Sequence, residues 1–68
     1  MKMYKGIGIL PQPQELRAGG WKADFTLIDD RGSVTKLRKY HGQEVYPARE
    51  DAERAGLDSA RRIIGDED

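Results

Sequence analysis

Apolar and polar residues alternate along the first forty positions, and the period then changes. Between Met3 and Leu10, one side of an extended chain carries Met3, Lys5, Ile7 and Ile9, and the other carries Tyr4, Gly6, Gly8 and Leu10. That alternation predicts a strand over 3–10. Pro11 and Pro13 follow and remove two backbone donors. Proline is tolerated mainly at sheet edges, so this strand is expected at an edge and to end near Leu10. Gly19-Gly20 can take positive φ at no steric cost and predicts a tight turn. Trp21, Ala23, Phe25 and Leu27 then alternate with Lys22, Asp24, Thr26 and Ile28, the signature of a half-buried strand over 21–28. Asp29 to Gly32 reads as a further turn. A third strand is predicted over 33–40, with Thr35 and Leu37 facing the core and Val34, Lys36, Arg38 and Tyr40 facing away. His41-Gly42-Gln43-Glu44 breaks or bulges it before Val45 and Tyr46.

Beyond Pro47 the spacing becomes helical. At 100° per residue, Ala48, Ala52, Ala55, Gly56, Ala60, Ile63 and Ile64 fall on one arc, and Glu50, Arg54, Asp58, Arg61 and Arg62 fall opposite. This predicts a helix over 48–64, with Glu50–Arg54 and Asp58–Arg62 as ion pairs one turn apart. Gly65 is placed to end it as the residue after the cap, leaving 66–68 as a frayed tail. Gly56 on the buried arc costs about 1 kcal/mol of helix propensity, which close contact with a sheet would offset. The expected fold is a single α+β domain: a three-stranded antiparallel meander with one C-terminal helix packed on one face.

The 68 residues include no cysteine, so neither a disulfide nor a thiolate metal site supports so small a core. A reducing, cytoplasmic setting is the expectation, reinforced by an N-terminus without the apolar region of a signal peptide. No apolar run is long enough for a membrane span. Net charge is zero but unevenly spread. Residues 1–49 hold nine Lys/Arg against five Asp/Glu, a net of +4, and residues 50–68 hold three against seven, a net of −4. With that overall balance, charge alone does not predict strong non-specific binding to nucleic acid.

Three stretches resemble a group of small bacterial β-β-β-α proteins whose role is uncharacterised. They are Gly19-Gly20-Trp21 leading into the second strand, Tyr46-Pro47-Ala48-Arg49-Glu50-Asp51-Ala52, and Arg61-Arg62-Ile63-Ile64-Gly65. The group's helix has the form FPTREEA…GRRIIDG, and the likeness spans most of the chain. Ala48 stands where the group's threonine would complete a capping box, a loss of about 1 kcal/mol at the helix start. The resemblance implies the fold and brings no activity, cofactor or site residue.

Candidate chemistry is sparse. His41, the single histidine, could pair with Glu44 as acid and base with Tyr40 assisting, but a solvated turn histidine explains it as well. A transition-metal site needs several convergent ligands, so no cofactor and no enzymatic activity are expected. The reverse of the sheet is the best candidate. An apolar set of Tyr4, Leu10, Ile28, Val34 and Tyr40 there would suit a homodimer or protein partner. An alternative set of Lys22, Lys36, Arg38, Lys39 and Tyr40 would suit nucleic acid, basic groups interleaved with a stacking ring. The first reading is the leading one: a non-enzymatic module that self-associates through the open face or edge of its sheet.

Overall fold

The computed structural model describes residues 1–67. The chain is α+β, with antiparallel sheets and one C-terminal helix, but the sheet is not a three-stranded meander. Among the described residues there are seven strands: β1 (Lys2–Tyr4), β2 (Ile7–Pro11), β3 (Gln14–Glu15), β4 (Trp21–Lys22), β5 (Phe25–Asp29), β6 (Lys36–Tyr40) and β7 (Val45–Tyr46). They form two sheets, a larger one ordered β1-β2-β5-β6 and a smaller one ordered β3-β4-β7. The helix α1 spans Arg49–Glu67.

Two local events turn the expected meander into this arrangement. The first divides the strand predicted over 3–10. Lys5 (φ 50°) and Gly6 (φ 82°) both take left-handed backbone, and Tyr4 pairs directly with Ile7. Two consecutive positive φ values match the twist of a two-residue hairpin, so the chain reverses where the alternation reads as continuous. β2 consequently lies inside the larger sheet rather than at its edge. Its proline is accommodated because β1 reaches only as far as the Lys2–Ile9 pair, leaving Pro11 beyond it.

The second event is a crease. β2 gives way to β3 across Gln12-Pro13, β4 to β5 across Ala23-Asp24, and β6 to β7 across His41–Glu44. The three breaks face one another: the one at 23–24 divides the strand predicted over 21–28, while those at 12–13 and 41–44 lie past the predicted strand ends, the last of them where the sequence predicts a break before Val45 and Tyr46. Gly19 and Gly20 close the β3–β4 loop with φ of 98° and 89°, as the sequence predicts.

α1 covers one face of the larger sheet. Ile7, Ile9, Phe25 and Leu27 from β2 and β5 meet Ala60 and Ile64, with Tyr4, Tyr40, Leu57 and Ile63 packed around them. Ala23, Phe25 and Leu27 are buried as expected, while Trp21, beyond the crease, is half-buried beneath the Arg49 guanidinium at 5.8 Å. Gly56 lies against the turn of the crease. A methyl group there would reach the Ala23 carbonyl at 3.6 Å and the Phe25 ring at 3.7 Å, an ordinary contact. The Ala48 carbonyl accepts the first helical hydrogen bond, from Ala52, and Glu50 and Asp51 complement the positive end of the helix dipole. The ion pairs join other partners than those expected: Arg49 meets Glu53 one turn on at 3.1 Å, while Arg54 meets Asp51 at 3.8 Å and Arg61 meets Asp58 at 3.6 Å, both three residues apart.

Gly65 does not terminate the helix, which continues through Asp66 to Glu67; Asp68 lies outside the described residues. Since Gly65 has no positive φ and nothing lies within 4 Å of its missing side chain, Gly65→Ala should stabilise the protein by about 0.5–1 kcal/mol. A rise of several degrees in Tm is expected; a fall would indicate a left-handed cap after all. At Gly56, where only a methyl group fits, Gly56→Leu should cost about 1–3 kcal/mol by overpacking, and an unchanged thermal melt would refute that contact.

Candidate functional site

Cross-strand partners share a face, so the register assigns every side chain of the larger sheet to one side. Leu37 pairs with Ile28, Arg38 with Leu27, and Tyr40 with Phe25. This reverses the faces expected for the third strand. Tyr40 turns toward the helix and stacks on Phe25, ring centroids 5.1 Å apart and planes 15° apart, while Leu37 turns outward and is 66% exposed. A shift of one residue flips an entire strand, and Lys-Leu-Arg-Lys-Tyr offers an apolar group to either face. The six residues of loop 30–35 join the two strands in this register.

The expected partner surface therefore divides. Tyr4, opposite Ile7, and Tyr40 are on the helix side. Leu10 and Ile28 are on the open side, and Val34 is exposed in the loop before β6. The basic set divides too. Lys36, Arg38 and Tyr40 share the helix side, Lys39 is on the open side opposite Thr26, and Lys22 belongs to β4 in the other sheet. The structure does not bring these residues onto one platform.

It does assemble a surface that neither set describes. Met3, Gly8, Ile28 and Leu37 form a continuous row across all four strands, with Leu10, Thr26 and Lys39 in the neighbouring row. Met3 is 60% exposed, and Met1 lies over Gly8, where an added side-chain carbon would come within 2.8 Å of its sulfur. Lys39 is the one charged residue among the strand positions of this face.

The crease holds a buried carboxylate. Asp24 is 5% exposed. Its Oδ1 accepts a hydrogen bond from the Gly42 amide at 3.0 Å, its Oδ2 lies 3.0 Å from Nδ1 of His41, and its own carbonyl accepts from the Gln12 amide at 2.9 Å. One residue thus contacts both neighbouring strands where they bend. Gly42 is required for the approach: a side-chain carbon there would fall 2.8 Å from the Ala23 nitrogen. Burial pushes the Asp24 carboxyl up, but the Gly42 amide, His41 and the charge of Lys39 outweigh it and hold the carboxyl below its ordinary value.

The carboxylate partner of His41 is therefore Asp24 rather than Glu44. The alternation places Asp24 on the polar side of its strand, and the β5–β6 register carried one step past Phe25 and Tyr40 sets it opposite His41; a contact across 17 residues leaves no local signature. With Nδ1 against the carboxylate, the ring presents Nε2 to solvent. Beside it is a cleft of about 250 Å³ between the His41–Glu44 connector and α1, lined by Tyr40, His41, Glu44, Tyr46, Ser59 and Ile63 among others. Among the described residues, no group of three or more His, Asp or Glu side chains is arranged to hold a metal ion.

A second carboxylate steadies the β5–β6 loop. Asp29 takes a two-pronged contact from Arg31, Nε to Oδ1 at 3.0 Å and Nη2 to Oδ2 at 3.1 Å, and accepts from the Arg31 amide. These hydrogen bonds hold its carboxyl down at about 2. Both aspartates bind protons more weakly when folded, so each contributes stability that is complete above the unfolded value near 3.8 and disappears as pH falls through the folded value. Asp24→Ala should cost about 1–3 kcal/mol at neutral pH by leaving the Gly42 amide unpaired. Urea unfolding at about pH 6 and about pH 3 should show a smaller loss in the variant than in the parent, the remainder arising from Asp29. Equal losses would contradict the bridging role.

Comparison with protein-family models, curated proteins and solved structures returns no match to this chain.

Proposed function

We propose that the protein is a non-enzymatic interaction module that self-associates through the open face of its four-stranded sheet. The observation that carries the reading is the Met3–Gly8–Ile28–Leu37 row, an apolar band across every strand of that face. Its occupant is a second copy, and charge is the argument. A two-fold axis along the strands between β2 and β5 lays Met3 of one copy over Leu37 of the other. The two Lys39 side chains then sit over opposite edges, three strand spacings or about 14 Å apart. Pairing through the β6 edge is disfavoured, since it would bring the Lys36, Arg38 and Lys39 charges of two copies together.

Area sets the affinity. Four strands at about 4.8 Å and five residues at about 3.3 Å give a face of roughly 19 by 17 Å, below the ~800 Å² per partner of a standard interface. The dimer is accordingly weak and reversible. Methionine supports this mode of contact, because a flexible thioether adapts to an imperfect fit.

Sedimentation equilibrium from about 10 µM to about 1 mM should show the mass rising from 7.7 kDa toward the dimer value. Leu37→Glu, at an exposed position, should keep the fold and weaken association at least about tenfold. A mass fixed at the monomer value throughout, or association unaffected by Leu37→Glu, would overturn the proposal.

A further inference from the structure

From the cleft beside the crease we infer a second binding site, one that takes a small organic ammonium ion. It lies on the helix side of the sheet, away from the face that self-associates, and the inference does not depend on that association. Three aromatic residues, Phe25, Tyr40 and Tyr46, line it together with Ile63 from α1. Neither lysine nor arginine is among the ten residues of the lining, and Glu44 supplies a carboxylate at the rim. The His41–Asp24 pair adds no net positive charge in either state of the imidazole, because a protonated ring is balanced by the carboxylate 3.0 Å away. Tyr46 also borders a hollow formed by Asp51, Arg54 and Asp58, where the pairs Asp51–Arg54 and Asp58–Arg61 offset one another.

Aromatic faces together with an unopposed carboxylate form an environment that attracts a cation with an apolar exterior. A metal ion would need more oxygen or nitrogen ligands than the cleft offers. An anion would meet Glu44 with no lysine or arginine in the lining to bind it. A volume of about 250 Å³ suits a single alkylammonium head group rather than a larger ligand.

The test is an NMR titration of the full chain with tetramethylammonium, with tert-butanol as an uncharged probe of similar shape, each to about 50 mM. Saturable shifts are expected with the ammonium ion at the amides of Gly42, Glu44, Tyr46, Ser59 and Ile63, and weaker, non-saturating ones with the alcohol. Glu44→Gln, at an exposed position, should weaken ammonium binding about two- to fivefold, and Tyr46→Leu should weaken it by a similar factor. The amide spectra report whether each variant remains folded. Equal responses to the two probes, no response to the ammonium ion, or full affinity in Glu44→Gln would each overturn the inference.

Discussion

The carboxylate of Asp24 is the contact on which the geometry of this chain depends. Three strands bend along one line, and a bend interrupts the hydrogen-bond ladder where the backbone can least afford unpaired groups. Asp24 occupies the middle strand at that line. Its side chain takes the Gly42 amide and the His41 ring from one neighbour, and its carbonyl takes the Gln12 amide from the other. A buried carboxylate normally costs stability, and here its hydrogen bonds replace the water it loses. Without it the β6–β7 connector would lose its attachment, and with that the wall of the cleft.

The crease also explains the shape and the division of labour between faces. The strands continue past the bend into a second small sheet, giving a molecule 42 Å long and 18–19 Å across rather than a rounded sandwich. A single helix covers one side of the larger sheet, and Ala52, Gly56 and Ala60 are small enough for it to approach closely. No helix of the described chain covers the other side, where Met1 lies over Gly8 and Met3, Leu10 and Leu37 are exposed. Helix-side cleft and open face therefore follow from the same arrangement while facing in opposite directions.

Much of the fold was legible in the residues because period is a direct consequence of backbone geometry. The inward row Ala23, Phe25 and Leu27, the paired glycines at 19 and 20, and the alanine stripe of the helix all follow from periodicity and turn chemistry. Features that depend on distant contacts were not. Lys5-Gly6 leaves the alternation intact while reversing the chain. Leu37 and Tyr40 competed for the core, and stacking on Phe25 decided in favour of the ring, moving both predicted surface sets off a common face. Gly65 resembled a helix stop, yet the helix runs on through it to Glu67. The Asp24–His41 pair was hidden for the same reason: its partners meet only once β5 and β6 have paired.

The most direct test of this account follows the amide proton of Gly42 by NMR through an acid titration, alongside the side-chain carboxyl carbon of Asp24. An amide held by the carboxylate must sense its protonation, so both signals should move together with one midpoint below the ordinary aspartate value of 3.8. A Gly42 amide indifferent to pH, or a shared midpoint at or above 3.8, would show that the crease is held by something else.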